Sequence, residues 1–240
     1  MSLPVIILAG GLATRLRPAT DQIPKALLPI CGEPFLAHQL RLLASRGIER
    51  AVLSVGYRGG MIEEFAGDGS RFGLRVECVP DGPRLLGTAG AIKQALSKLG
   101  PRLGDAFLTL YGDSYLPCDY AAVEGAFAES GQSALMTVYE NNGQWDSSNV
   151  EFRDGRILVY DKRARAPGMR HIDYGLGVFR REAFDAVPEG EPHDLAALYQ
   201  SLVANGRLAG HEMRDRFYEI GTPEGIRETE SYLCGKGTRA

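Results

Sequence analysis

Short apolar runs and amphipathic stretches alternate along the first half of the chain. Residues 5–9 form a β-branched run that feeds a glycine-rich loop, the pattern of a buried strand. Residues 35–46 place Leu36, Leu40 and Leu43 at helical spacing, and Gly47 follows as a C-terminal cap. Residues 51–55 read as a strand, 61–65 as a short helix and 74–79 as a strand. Thr88 is placed to cap a helix running to Leu99, closed by Gly100-Pro101, and residues 106–111 are the next buried strand. The resulting order over residues 1 to about 115, β-α-β-α-β-α-β, predicts an α/β fold with a mostly parallel sheet flanked by helices.

The second half is richer in strands. Residues 150–153 and 156–160 flank Asp154-Gly155, a strong two-residue hairpin signal. Residues 172–179 predict a strand, 194–205 a helix, 216–220 a late strand and 222–233 a capped final helix. No linker, repeat or low-complexity segment separates the halves. The sequence therefore reads as one domain over residues 1–240, with a smaller β-rich part forming a lid or substrate wall.

Charge narrows the function. With 27 basic and 30 acidic residues in 240, the net charge is −3, which argues against nucleic acid as a partner because phosphate-backbone affinity needs clustered positive charge. The apolar share of 44% is too high for a disordered chain. The apolar run at the N-terminus has no basic flank, so it reads as a strand rather than a signal peptide. No stretch approaches the ~18 apolar residues of a membrane span. Cys31, Cys78, Cys118 and Cys234 are scattered without a CxxC pair. That spacing suits a reduced compartment and speaks against a disulfide framework or a zinc knuckle. The expectation is a cytoplasmic protein with no membrane partner.

The candidate chemistry concentrates in LAGGLATRLRPATDQIPKALLP, residues 8–29. The strand ends at Leu8-Ala9, and Gly10-Gly11 let the backbone approach a ligand that a Cβ would repel. Thr14, Arg15, Arg17 and Lys25 follow, opposed by Asp21 alone. Backbone N–H groups in such a turn form an anion-binding concavity, to which Arg15 and Lys25 add full charges. The other reading is a surface turn with solvated basic side chains. A P-loop is excluded because no Gly-Lys stands at the required spacing. A dinucleotide fingerprint is excluded because Pro18 and Pro24 keep the segment irregular.

The same segment resembles the signature of the sugar-1-phosphate nucleotidyltransferases, LAGGxGTRLxPxTxxxPKxxxP. It departs where Ala13 stands for a glycine, so the backbone there must tolerate a Cβ or shift. Further motifs of that family recur in order: LLGTAGA at 85–91, LYGDSY at 110–115, VYDK at 159–162, DYGLGVF at 173–179 and YEIGTPEG at 218–225. The small heptose- or mannose-1-phosphate guanylyltransferases and the N-acetylmuramate-1-phosphate uridylyltransferases are the most similar members in size and motif. The resemblance implies a Rossmann-like nucleotide-binding half at about 1–115 and a sugar-binding half at about 116–240. The implied reaction joins an NTP and a sugar 1-phosphate into an NDP-sugar and pyrophosphate.

By that resemblance Arg15 and Lys25 are the catalytic cations, at the reacting phosphates and the pyrophosphate end. Leu8, Ala9, Gly10, Gly11, Thr14, Gly87 and Thr88 bind the nucleotide, Gly87 lying against the base, while Thr88 is equally readable as a helix cap. Asp113 and Glu219 hold Mg²⁺, Glu219 standing where the family usually has Asp. Lys162, Asn149 and Gly175 take the sugar phosphate and leave room for the ring. The implied substrates are GTP or UTP and a sugar 1-phosphate, a heptose among them, feeding cell-envelope polysaccharide, and a homo-oligomer is compatible with the sequence.

Other features stay open. Residues 145–149, WDSSN, read either as a sugar-recognition loop or as a packed tryptophan. Asp81 and Arg84 precede LLGTAGA, where the family reads the base. His38, His171, His193 and His211 have no metal-ligand spacing, and His171 alone falls near the sugar motifs. Two alternative functions remain: a cytidylyltransferase acting on phosphocholine or a phosphonate, and a non-enzymatic sensor or regulatory protein of the same fold.

Overall fold

The computed structural model describes residues 2–164 and 166–237. In chain order its strands and helices begin with β1 (Val5–Leu8), β2 (Pro29–Ile30), β3 (Glu33–Pro34), α1 (Phe35–Ser45), β4 (Arg50–Val55), α2 (Gly59–Ala66), β5 (Arg75–Pro80), α3 (Gly87–Leu99) and β6 (Ala106–Tyr111). They continue with β7 (Ser114–Tyr115), α4 (Tyr120–Ser130), β8 (Ala134–Glu140), β9 (Val150–Arg153), β10 (Arg156–Tyr160) and β11 (His171–Arg180). The last are α5 (Leu195–Ala204), β12 (Leu208–Met213), β13 (Tyr218–Glu219) and α6 (Pro223–Gly237).

Nine strands form one sheet in the order β5-β4-β1-β6-β11-β8-β12-β10-β9. The first four are parallel, as expected. From β11 onward the sheet is mixed, because β11 runs antiparallel to both β6 and β8, while β12 is parallel to β8. The expectation of a mostly parallel sheet is corrected to a parallel block joined to a mixed one.

Strand β1 explains its own sequence. Val5, Ile6 and Ile7 are all fully buried, with Val5 and Ile7 packing on one side of the sheet and Ile6 on the other. A strand covered on both faces needs a continuous apolar run rather than alternation. Leu36, Leu40 and Leu43 of α1 cover one face with Val123 and Phe127 of α4. Ile92 and Leu96 of α3 cover the other with Leu198 and Leu202 of α5. A third, smaller core joins Leu16, Leu28 and Ile30 of the glycine-rich segment to Phe35, Tyr115 and Ile220. This small core ties that segment to the β7–β13 ladder.

Two expectations hold and two change at the level of elements. The 194–205 helix is present with Asp194 as its cap, and Asp154-Gly155 form the hairpin turn with both φ angles positive. The late strand shrinks to Tyr218–Glu219. Thr88 does not cap its own helix: its hydroxyl donates to Asp194 Oδ1 at 3.0 Å and accepts from Leu195 N at 2.7 Å. It thus braces the start of α5.

The cysteine reading is corrected. Cys31 and Cys234 are disulfide-bonded, with Cα atoms 5.8 Å apart across 203 residues of sequence. Helix α6 folds back beside the β2–β3 turn, a tertiary approach that no local spacing announces. Cys78 and Cys118 are free thiols. Among the described residues, no helix is long and apolar enough to cross a membrane.

Candidate functional site

The parallel block ends with Leu8 opposite Ser54 and Tyr111, so the loops after β1, β4 and β6 open at one edge of the sheet. Ligands in open α/β sheets bind outside these carboxyl ends. The loops are drawn together by missing side chains: a Cβ on Gly112 would stand 2.7 Å from the Leu8 carbonyl oxygen. Ala9 N–H donates to Ser54 O at 2.8 Å, and Gly112 N–H donates to Leu8 O at 3.0 Å.

Two adjoining spaces occupy this edge. A cleft of about 240 Å³ is lined by Leu8, Ala9, Gly10, Gly11, Gly87 and Thr88, among others. A wider cavity of about 1270 Å³ receives Thr14, Arg15, Asn149, Lys162, Gly175 and Glu219. Lys25 and Asp113 line both, so they stand on the boundary. Every residue assigned to the site from sequence lies in one space or the other.

At the boundary Lys25 Nζ lies 2.6 Å from Asp113 Oδ2, both side chains about one quarter exposed. Fully buried Gln39, on α1, holds the turn that carries Asp113 from both ends. Its Nε2 donates to Tyr111 O at 3.0 Å and to Ser114 O at 2.8 Å. Sequence reading missed Gln39 because a lone glutamine on an apolar helix face carries no motif.

Glu219 reaches the same place through the short ladder in which it pairs with Ser114, while Ile220 N–H donates to Asp113 O at 2.9 Å. Both carboxylates face Gly221, whose absent Cβ would lie 3.5 Å from Glu219 Oε1 and 3.7 Å from Asp113 Oδ2. Burial raises the Glu219 carboxyl above its usual range, and the neighbouring charges of Asp113 and Asp146 raise it further. Lys25 and Arg15 oppose the shift. Two converging carboxylates with too little positive charge between them suit a hard cation. Mg²⁺ commonly takes one or two carboxylates, with phosphate oxygens completing its shell. The residues present fit that ion. Among the described residues, no group of three His, Cys, Asp or Glu side chains forms an all-protein metal site.

Arg15 sits in a 3₁₀ turn at Thr14–Leu16, exposed to the wider cavity. Ala13, just before it, is left-handed at φ 50°. Its carbonyl accepts from Leu16 N–H at 3.1 Å and from the Thr20 hydroxyl at 2.9 Å, which holds the turn. The structure thus explains the family's glycine: the backbone has the left-handed conformation that L side chains resist.

On the far wall, Lys162 Nζ lies 5.4 Å from the centre of the Tyr111 ring. Its charge counters the burial that raises the Asp173 carboxyl, which also accepts from Gly175 N–H at 3.0 Å and from the Tyr160 hydroxyl at 3.3 Å. Asn149 Oδ1 accepts from Asp173 N–H at 3.0 Å, so Asn149 shapes this wall through Asp173. Gly175 has φ 98°, a left-handed conformation that L side chains resist, although a Cβ there would meet Tyr111 and Ser114 only at ordinary contact distance. Asp173 was not assigned from sequence, although DYGLGVF contains it; one acidic residue in an apolar strand was the available signal.

The weaker candidates sort out. Trp145 lines the wide cavity and is covered by the Arg216 guanidinium 3.5 Å from its ring centre, so it is both packed and at the site. Arg84 is turned away, donating to Gly190 O at 2.6 Å. Gly87 packs its bare face against the His193 carbonyl, 2.7 Å from where a Cβ would be. His171 contacts Glu212 Oε1 at 2.9 Å rather than lining either space, and His38 contacts Ile30 O.

Comparison with known proteins supplies the family. The profile described as Nucleotidyl transferase matches residues 4–233. The chain is 30% identical over 224 residues to mannose-1-phosphate guanylyltransferase of Mycobacterium tuberculosis, covering 91% of this chain and 61% of that enzyme. It is 30% identical over 232 residues to N-acetylmuramate alpha-1-phosphate uridylyltransferase of Neisseria meningitidis serogroup B, covering 94% of this chain and 96% of that one. HddC from Yersinia pseudotuberculosis, solved with GMP-PN, shares the fold with a TM-score of 0.77 at 24% identity, covering 96% of this chain and 99% of that one. The site geometry and these similarities agree: the chain belongs to the nucleotidyl transferase family, among sugar-1-phosphate nucleotidyltransferases.

Proposed function

We propose that this protein joins a nucleoside triphosphate and a sugar 1-phosphate into an NDP-sugar, releasing pyrophosphate. The observation that carries the reading is the Lys25–Asp113 pair on the boundary between a narrow glycine-walled cleft and a wide polar cavity. The cleft suits a nucleoside, the cavity a sugar phosphate, and the boundary the reacting phosphates.

In the reaction an oxygen of the sugar phosphate attacks the α-phosphorus in line. The new O–P bond forms as the bond to the β-phosphate oxygen breaks, and pyrophosphate leaves with the electron pair. The nucleophile is already ionised near neutral pH, so no general base is required, and the site presents none of the Ser–His–Asp type. Catalysis rests on placement and on neutralising charge as it shifts between phosphoryl oxygens. Arg15, which has no ion pair among the described residues and faces the cavity, is placed to meet that charge. Lys25 holds the pyrophosphate end while Asp113 fixes its position. Lys162 grips the sugar phosphate. Asp113 and Glu219 would hold Mg²⁺, which when bound supplies further positive charge to the phosphate oxygens.

GTP or UTP is the nucleotide of this reading, with a mannose- or heptose-type 1-phosphate as partner; the curated relatives named above are a guanylyltransferase and a uridylyltransferase. The test is pyrophosphate release from ATP, GTP, CTP, UTP and dTTP against a panel of sugar 1-phosphates. At least one pair should turn over with a stoichiometric NDP-sugar. Turnover only with phosphocholine and CTP, or none with any pair, would contradict the proposal.

A further inference from the structure

Gln39 is fully buried on α1, although Leu36, Leu40 and Leu43 of the same helix belong to the main apolar core. Burying a carboxamide costs free energy unless its hydrogen bonds are made. Nε2 carries two hydrogens and spends them on two carbonyls, Tyr111 O at 3.0 Å and Ser114 O at 2.8 Å. Oε1 is buried and meets no donor among the described residues. Turning the amide over would set Oε1 against both carbonyl oxygens, so the two donated bonds fix its orientation. The glutamine is therefore explained by the carbonyls it holds, at the cost of an orphaned acceptor.

Those carbonyls bracket Gly112 and Asp113. The rest of the turn is held too, since Gly112 N–H donates to Leu8 O and Asp113 O accepts from Ile220 N–H. Ser114, whose carbonyl Gln39 holds, is also the ladder partner of Glu219. One turn earlier on the same face of α1, Phe35 packs with Tyr115 and Ile220 in the third core. Helix α1 thus fixes both backbones that carry the site's carboxylates. The spacing of Asp113 and Glu219 depends on a residue that hydrogen-bonds to neither side chain.

We propose that Gln39 is a positioning residue that sets which divalent cation the Asp113–Glu219 pair accepts. This rests on the metal assignment made above and adds what gives that pair its selectivity. Mg²⁺ demands near-octahedral oxygen ligands at about 2.0–2.1 Å, whereas Ca²⁺ accepts about 2.3–2.6 Å in irregular shells. Carboxylates held at a fixed spacing can satisfy the small ion, and carboxylates free to drift apart favour the large one. Losing the two bonds to Tyr111 O and Ser114 O relaxes the turn, so the small ion loses most.

The experiment follows Mn²⁺ binding to the full chain by electron paramagnetic resonance, with no substrate present, and its displacement by Mg²⁺ and by Ca²⁺. In the wild type Mg²⁺ should displace Mn²⁺ at no higher concentration than Ca²⁺ does. Gln39→Met keeps the length of the side chain and lacks its donors. There the Mg²⁺ concentration needed should rise about tenfold or more, and that of Ca²⁺ less than about threefold. Gln39→Glu keeps the shape and at most one donor; it should shift the ratio the same way and serves where Gln39→Met does not fold. Leu36→Ala removes packing from the same helix without reaching the turn, so it should lower the melting temperature and leave the Mg²⁺-to-Ca²⁺ ratio unchanged. Equal losses for both ions in the Gln39 variants, the same change of ratio in Leu36→Ala, or a wild type that prefers Ca²⁺ would overturn the assignment. If the wild type binds no Mn²⁺, the two-carboxylate metal site itself falls, an outcome distinct from binding without a preference for Mg²⁺.

Discussion

Glu219 and Asp113, far apart in sequence, face the same glycine because Glu219 pairs with Ser114 in a ladder two residues long. Helix α6 holds the far side of that ladder: the Thr229 hydroxyl donates to Glu219 O at 3.1 Å. Lys25 approaches from the glycine-rich segment and bonds Asp113. Three separate parts of the chain therefore meet at one charged boundary, and each can be tested by itself.

Arg15 has no hydrogen bond or ion pair among the described residues, and it is exposed. Its removal should therefore leave stability nearly unchanged. Arg15→Ala should lower kcat about 100-fold or more, the scale for losing one preorganised donor to developing charge. Steady-state kinetics beside a thermal melt checks both halves. Normal turnover would remove Arg15 from the mechanism.

Lys162 lies over the Tyr111 ring in the wide cavity and outside the narrow cleft. Lys162→Ala should raise KM for the sugar 1-phosphate well above any change in KM for the NTP. Equal changes in both would indicate that the lysine shapes the cavity as a whole.

Ala13 tests the backbone of the signature loop. Its φ of 50° is a conformation in which a Cβ costs about 1–2 kcal/mol, and a β-branched side chain should cost more. Ala13→Val should destabilise the protein by about 1–2 kcal/mol in urea denaturation, whereas Ala13→Gly should not destabilise it appreciably. The reverse order would mean that the turn has another conformation in solution.

The disulfide joins Cys31 to Cys234 across 203 residues, so it constrains a very long loop of the unfolded chain. Cys31→Ser should lower stability by up to about 5 kcal/mol, the chain-entropy scale for a loop of this length. Thiol titration of the denatured, unreduced protein should find the two free thiols of Cys78 and Cys118. Four free thiols and a melting temperature unaffected by reductant would contradict the bond.

Where local sequence decides structure, the sequence was readable. The run of Val5, Ile6 and Ile7 marks a two-sided buried strand, and Asp154-Gly155 mark a hairpin. Tertiary context decided the rest. Strand β11 lies antiparallel between β6 and β8, a choice its apolar composition does not encode. Helix α4, YAAVEGAFAES, has small residues around most of its surface and no clear amphipathic stripe, so it passed unread. Thr88 has the chemistry of a cap, but the helix it braces is 107 residues away. Asp113, Glu219, Lys25 and Arg15 were legible through ordered motifs, whereas Gln39 and Asp173 act through neighbours and lack such a signature.

The central claim is that Asp113 and Glu219 hold the cation of a nucleotidyl transfer. Its most direct test is pyrophosphate release against Mg²⁺ concentration for the wild type, Glu219→Gln and Asp113→Asn. Glu219→Gln keeps the shape and loses the charge, so its half-activating Mg²⁺ concentration should rise and its plateau fall. Asp113→Asn should lose more, since it also releases Lys25. Superimposable activation curves for wild type and Glu219→Gln, with the same midpoint and plateau, would show that Glu219 is not a ligand and contradict the account.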